Sequence, residues 1–182
     1  MPHSPLADFP SDLLATAGNI RMACFDVDGT LTDGRLYYDH DGNESKAYYV
    51  QDGLGLKLLQ QHGIHPVLIT ARNSQSALRR GADLGIDTQI AVGDKLASVR
   101  ALCAARGIGL EQVAFMGDDL PDLAPLCVVG LAVAPANAHP WIAERVHWHT
   151  RARGGQGAAR ELCDVLLAAQ GKLDAVLAGY SP

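Results

Sequence analysis

Short, almost uninterrupted apolar runs alternate along the chain with segments whose apolar residues recur every three or four positions. The runs are Met22–Phe25, Pro66–Thr70, Gln89–Val92, Val113–Met116, Gly130–Ala134 and Val146–His149. Each has strand length, and most are apolar on consecutive positions, as in strands covered on both faces. Between them, Leu54, Leu58 and Leu59 follow helical spacing, as do Ala77, Leu78 and Leu84, then Leu96, Val99, Leu102 and Cys103, and finally Leu162, Val165, Leu166 and Ala169. Strand then helix, repeated without an internal repeat or low-complexity linker, predicts a single α/β unit: a doubly wound, Rossmann-like parallel sheet flanked by helices. Residues 1–18, containing Pro and Ser, read as a flexible leader, and residues 151–182 as a C-terminal helix and tail.

One segment breaks the rhythm. Residues 34–50 read as a β-hairpin, with Leu36–Tyr38 and Ala47–Val50 flanking Asp39-His40-Asp41-Gly42-Asn43. Tyr37, Tyr38, Tyr48 and Tyr49 fall on it, four of the chain's five tyrosines. A projection carrying that much aromatic surface predicts a subunit interface.

Composition narrows the field. The chain has 182 residues, 48% of them hydrophobic and 19% charged, with a formal net charge of −5. That length suits one core burying roughly 70% of the unfolded surface without disulfides, and the acidic balance argues against a nucleic-acid or anionic-membrane partner. Leu123–Ala143 carries no formal charge but contains Pro125, Pro135, Pro140, Asn137 and His139, a set no membrane-spanning helix would hold. No positive lead-in precedes an apolar run at the N-terminus, so no secretory signal is expected. Cys24, Cys103, Cys127 and Cys163 are widely spaced with no C-x-x-C pair, and read as buried thiols of a cytoplasmic protein.

Chemistry gathers where strands end. Met22–Phe25 runs into Asp26-Val27-Asp28-Gly29-Thr30, which places two carboxylates at the carboxyl edge of a parallel sheet, where ligands bind in open α/β folds. Adjacent acids there need a cation, and hard oxygen ligands with open positions suit Mg2+. One carboxylate can attack while the other, two residues on, serves as acid and base. Three further strand ends follow in order. Thr70 offers a hydroxyl to a phosphate oxygen, with Arg72 close behind; Lys95 opens a helix after Gly93-Asp94; and Gly117-Asp118-Asp119-Leu120-Pro121-Asp122 supplies more carboxylates.

This ordered set resembles the haloacid dehalogenase superfamily of phosphatases. The resemblance implies a haloacid dehalogenase-like fold with Asp26 as nucleophile, forming an aspartyl-phosphate, and Asp28 as the acid that protonates the leaving alcohol and then activates water. It gives Thr70 and Lys95 the phosphoryl group, Asp26, Asp118 and the Asp28 carbonyl the magnesium ion, and Asp122 the outer shell of that ion. Family members usually carry a cap domain after the first motif or between the Thr and Lys motifs. Here only a hairpin lies between Asp28 and Asp52, and only a helix, a strand and loops between Thr70 and Lys95, so the chain looks capless.

Two longer stretches, Lys46–Gly55 and Thr150–Glu161 with its Gly-Gly-x-Gly-Ala-x-Arg-Glu segment, are similar to those of the 3-deoxy-D-manno-octulosonate 8-phosphate phosphatases. That likeness covers residues 20–175. It implies a cytoplasmic homotetramer serving lipopolysaccharide inner-core sugar synthesis, hairpins packed around a central barrel, and a C-terminal tail that helps close a neighbouring subunit's site. The sugar acid would lie against Tyr49, Val50, Gln51, Asp52 and Gly53 and the basic residues Lys57, Arg72, Arg80 and Lys95. Arg72 and Arg80 stand eight apart, close to one face if their helix starts early. The sequence departs from the pattern at Ala71, where members often have Gly, and at Lys57, where a relative can carry Arg.

Other features read more plainly. His147 and His149 share a strand face without a third ligand, so zinc is not expected. Gly154–Gly157 precedes a helix but lacks the lysine and Ser/Thr of a nucleotide loop, and reads as a mobile lid. Two alternatives stay open: a capless phosphatase of a nine-carbon keto-deoxy sugar acid 9-phosphate, and a catalytically silent oligomerisation module.

Overall fold

The computed structural model describes residues 4–7 and 9–180. In chain order its regular elements are α1 (Leu14–Asn19), β1 (Met22–Phe25), β2 (Tyr37–Tyr38), β3 (Glu44–Ser45), α2 (Val50–Gln61), β4 (His65–Ile69), α3 (Gln75–Leu84), β5 (Asp87–Gln89), α4 (Lys95–Arg106), β6 (Val113–Met116), α5 (Leu123–Leu126), β7 (Leu131–Ala134), α6 (Pro140–Ala143), β8 (Trp148–His149), α7 (Ala158–Ala169) and α8 (Leu173–Ala178). Six strands form one parallel sheet in the order β5-β4-β1-β6-β7-β8. The chain winds outward from β1 through β4 to β5, then crosses to β6 on the other side of β1. The switch point therefore lies between β1 and β6, where an open α/β sheet forms its ligand crevice.

Alternation along the strands explains why both faces are covered. Ala23, Phe25, Leu68, Ala114, Met116, Leu131 and Val133 face a layer built from α1, α2, α3 and α7. Met22, Cys24, Val67, Ile69, Val113, Phe115, Ala132 and Ala134 face α4, α5 and α6. Every one of these strand residues is fully buried, each large side chain stabilising the fold by about 1.5–3 kcal/mol. Helix starts and stops follow their local signals: Ser74 and Asp94 accept from the backbone N–H of Ala77 and Ala97 at the starts of α3 and α4, and Gly85 and Gly107 end those helices in the left-handed conformation.

Four expectations need correction. The leader is ordered from Phe9 onward: Phe9 packs edge-on against Trp148 at 5.1 Å, Ser11–Leu13 form a 3-10 turn, and Ala17 on α1 is buried; residues 1–3 and 8 lie outside the described residues. The edge strand is Asp87–Gln89, not Gln89–Val92, because Ala91 sits at φ +54 and Val92 donates to the Thr70 carbonyl instead of extending the ladder. Cys127 is exposed, while the other three thiols are free and buried. In the hairpin the second strand is Glu44–Ser45, since Asp39 N–H donates to the Asn43 carbonyl and closes the turn there. The Asp39 carboxylate also takes the N–H groups of Asp41 and Asn43, and Val50 already belongs to α2. Between β1 and α2 there is only this short arm, with no cap domain.

Candidate active site

The carboxyl ends of β1, β4 and β6, with the start of α4, meet over a cleft of about 290 Å3 lined by Asp26, Asp28, Thr70, Arg72, Lys95, Asp118 and Asp122 among others. Asp26 N–H donates to the Met116 carbonyl, so the pairing of β1 with β6 continues one residue past the strands and fixes the first carboxylate. Lys95, the first residue of α4, is 4% exposed and donates to Asp26 Oδ1 and Asp122 Oδ1, both at 2.5 Å. Asp122 Oδ2 in turn accepts the N–H groups of Asp118 and Asp119, and the Thr30 hydroxyl donates to Asp118 at 3.4 Å. Oxygens of Asp26, Asp118 and Asp122 lie within 4.8 Å of one another.

Two buried carboxylates, Asp26 and Asp122, share one ammonium, and the half-buried Asp118 lies beside them. Burial pushes Asp26 up, and the Asp122 charge adds to that while Lys95 resists it. Asp118 is pushed up to about 7 by burial and by its neighbours Asp122 and Asp119. Asp122 is raised by burial against the pull of Lys95. Burial works to lower Lys95, yet Asp26 and Asp122 hold it above its ordinary value. A cluster with this surplus of hard, close oxygens fits a small divalent cation, which would offset the repulsion that one lysine leaves uncompensated. All three carboxylates could hold it; Asp122 is also engaged by Lys95 and two backbone amides.

Glycines hold this floor closed. Gly29, at φ +97, leaves room for Asp118: a Cβ there would lie 2.1 Å from Asp118 Oδ2. The Gly-Gly segment expected to be a lid is instead a buttress. Gly155 N–H donates to the Thr30 carbonyl, Gly154 N–H donates to Asn137 Oδ1, and a Cβ on Gly154 would meet the Gly29 carbonyl oxygen at 1.7 Å.

Asp28 faces the other way, toward the arm. Its Oδ2 accepts from the Thr70 hydroxyl at 3.3 Å, and its Oδ1 pairs with Lys46 Nζ. Lys46 also lies 3.3 Å from Glu44, whose carboxylate takes Arg72 at 2.7 Å and the Ser74 hydroxyl at 3.0 Å. Arg72 donates as well to the Tyr38 hydroxyl at 3.0 Å. Glu44, Lys46 and Ser74 were not singled out from the sequence; the signal available was the i, i+2 spacing of Glu44 and Lys46, which puts both on one face of an extended segment.

The remaining expected sugar-binding residues are not brought to this cleft. Tyr49, Asp52, Gly53 and Arg80 line a separate narrow crevice, and Gln51 lines a groove with Arg151, Gln156 and Arg160. Val50 is 78% exposed, and Lys57 is half-buried on α2. Asp52 is 2% exposed and accepts Arg160 N–H at the start of α7, a structural link between α2 and α7. Arg80 stacks on the Tyr48 ring at 5.6 Å, and Gly53 makes space for its guanidinium. Arg72 and Arg80 part because α3 starts only at Gln75, after Arg72. His147 accepts the Ala132 N–H through Nδ1, and His149 Nε2 lies 2.7 Å from the Ala143 carbonyl, so both imidazoles have structural partners.

Residues 91–162 match the family model of the haloacid dehalogenase-like hydrolases. The 3-deoxy-D-manno-octulosonate 8-phosphate phosphatase of Yersinia pestis is 42% identical over 174 residues, covering 94% of this chain and 91% of that protein. A crystal structure of a hypothetical protein from Xanthomonas campestris is 66% identical with a TM-score of 0.98 over 100% of both chains. The 3-deoxy-D-manno-octulosonate 8-phosphate phosphatase of Moraxella catarrhalis, solved with magnesium, phosphate and the sugar acid, is 38% identical with a TM-score of 0.91, covering 93% of this chain and 98% of that one.

Proposed function

The chain belongs to the 3-deoxy-D-manno-octulosonate 8-phosphate phosphatases of the haloacid dehalogenase-like hydrolases, and from that premise we propose that it hydrolyses this eight-carbon sugar acid phosphate to the free sugar acid and phosphate with Mg2+ as cofactor. The observation that carries the reading is the Asp26–Asp118–Asp122 cluster with Lys95 at the switch point of the sheet, beside an acid, Asp28, that lines the same cleft.

The roles are those the family resemblance implies, and the positions of the residues support them. A carboxylate oxygen of Asp26 attacks phosphorus; the new P–O bond forms as the bond to the sugar's C8 oxygen breaks, and Asp28 gives that oxygen its proton. Water then attacks the aspartyl-phosphate and passes a proton to Asp28, and phosphate leaves as the bond to Asp26 breaks. Lys95 and the Thr70 hydroxyl hold the phosphoryl oxygens, and Arg72 at the mouth suits an anionic substrate. Magnesium, when bound, neutralises charge building on the phosphoryl oxygens. A capless cleft stays open to water, which suits hydrolysis over phosphoryl transfer to a second sugar.

Tyr37, Tyr38 and Tyr49, 48%, 58% and 39% exposed on and beside the arm, support assembly as a homotetramer, with neighbouring subunits bringing sugar-binding groups that one chain does not bring to its own cleft. Among the described residues no helix is long and apolar enough to cross a membrane, and four free thiols support a cytoplasmic setting. The product is used in building the lipopolysaccharide inner core. The test is phosphate release with Mg2+ from the eight-carbon acid 8-phosphate, beside a nine-carbon keto-deoxy sugar acid 9-phosphate and an aryl phosphate. Strong preference for the first is expected, and preference for the second replaces the substrate. Asp26→Asn should lose turnover by about 10^4-fold or more while keeping its circular dichroism; near-wild-type rates would reassign the nucleophile.

A further inference from the structure

The arm carries a charge arrangement that its own folding does not require. A lysine is among the residues least often buried, and burying an ammonium costs several kcal/mol unless it is paired and hydrogen-bonded. Lys46 nevertheless has its side chain wholly buried just after a two-stranded arm whose residues are mostly exposed. It is the third of four members of an alternating series that begins at the mouth of the cleft: Arg72, Glu44, Lys46, Asp28, each in ion-pair contact with the next. Ser74, at the start of α3, donates to Glu44 Oε1, the same oxygen that faces Lys46. The last member of the series is the acid that serves the leaving group.

The two oxygens of Asp28 therefore have different partners from different elements, Oδ1 the Lys46 ammonium and Oδ2 the Thr70 hydroxyl. A hydroxyl has one proton to give, so once Thr70 turns to a phosphoryl oxygen, Lys46 is the partner that Asp28 keeps, and holding Oδ1 leaves Oδ2 free and aimed at the cleft. We propose that Lys46 is a positioning residue of the active site. From the arm, it holds Asp28 Oδ1 so that Oδ2 stays at the cleft beside Thr70, where the leaving oxygen is protonated, and Glu44 holds Lys46 in register. The proposal rests on the phosphatase reading and adds to it a residue that touches neither substrate nor metal in its assigned role. It makes the arm part of the catalytic apparatus of its own chain, whatever the arm does between chains.

A residue that merely tethers the arm would affect all substrates alike. One that aims the acid affects substrates in proportion to their need for a proton. Lys46→Met is compared with wild type on the sugar acid 8-phosphate and on 4-nitrophenyl phosphate, whose leaving phenolate departs without protonation. Release of the alcohol is followed in a single turnover, so that only the first step is read. The expected result is a loss of about 10^2-fold on the alkyl substrate and less than about 5-fold on the aryl one, the scale of a misplaced catalytic group, with KM little changed and much of the loss restored in Lys46→Arg. Glu44→Gln, which leaves the ammonium but removes its second partner, should show the same selectivity in weaker form, and it serves if Lys46→Met fails to fold. Equal losses on both substrates, a change confined to KM, or wild-type kinetics would overturn the proposal. If wild type ignores the sugar acid phosphate but hydrolyses glycerol 2-phosphate, the substrate assignment fails while this comparison proceeds on that alkyl ester.

Discussion

The floor of the cleft and the arm above it are built on opposite principles. The floor is backbone packed on backbone: Gly154 lies against the Gly29 carbonyl, Gly155 N–H bonds to Thr30, and Asp26 N–H bonds to Met116. The arm has two pairs of strand residues and is fastened by side-chain charge, through Glu44 to Arg72 and Ser74 and through Lys46 to Asp28. Close packing tolerates no displacement; of the arm's fastenings the half-exposed Arg72–Glu44 pair gives way at small cost, while the buried Lys46 does not. The difference matches what each region does. The nucleophile has to meet phosphorus at a fixed point, while the arm lies where a substrate or a neighbouring subunit has to enter.

The largest effect should come from adding one methyl group to the floor. Gly154→Ala places a Cβ 1.7 Å from a backbone oxygen, and neither loop can give without moving Asp26 or Asp118. A loss of about 3 kcal/mol is expected, at the high end for overpacking, together with a fall in kcat. On the arm, Gly42→Ala meets nothing within 4 Å and strains only its φ of +81, so it should cost about 1 kcal/mol. Denaturant titration of the two variants measures the contrast; equal losses would mean the Gly-Gly buttress is loose.

A second, intermediate effect separates the regions by the sign of their pH dependence. In chelator-treated protein, the folded Asp118 keeps its proton to about 7 whereas the unfolded group, at its ordinary value of 3.8, has released it. Between those values the folded state binds more protons, so the floor loses stability as pH rises from about 4 to about 7. Glu44 has the opposite sign. Its partial burial works to raise it, but Arg72, Ser74 and Lys46 together hold it below 4.5, so its contribution is complete above that pH and fades as pH falls through the folded value. Saturating Mg2+ should flatten the floor's dependence and add about 2.7 kcal/mol at a hundred times its dissociation constant. Melting curves from about pH 3 to 8, with chelator and with Mg2+, test both signs; a metal-free floor that gains stability between 4 and 7 would contradict the assigned strain.

The same division decides what could be read in advance. Sheet strands and helices followed from apolar runs and 3.6-residue spacing because each is a local pattern, and Asp26, Thr70, Lys95 and Asp118 were legible because a parallel sheet delivers the residues after each strand to one edge. Lys46 and Glu44 were not, since their meaning depends on Asp28 and Arg72, 18 and 28 residues away in the chain. The resemblance places Asp52 and Arg80 with the substrate; within one chain, Asp52 ties α2 to α7 and Arg80 lies on Tyr48. The Gly-Gly segment was read as mobile because glycine permits freedom; here its missing side chain permits contact.

The smallest effect on the single chain should be the most informative about the arm. Tyr37 is 48% exposed on β2, so Tyr37→Ser removes little that its own chain packs against, and the stability of the isolated subunit should move by no more than about 0.5 kcal/mol. Between subunits the same ring would be covered, and aromatic residues at the centre of an interface carry a large share of its energy. Light scattering over a range of protein concentrations should then find wild type as a tetramer and Tyr37→Ser shifted toward smaller species at the same concentration. A wild-type chain that stays monomeric at every concentration would remove the arm's role between copies, and would leave its charges, not its tyrosines, as the reason it lies over the acid.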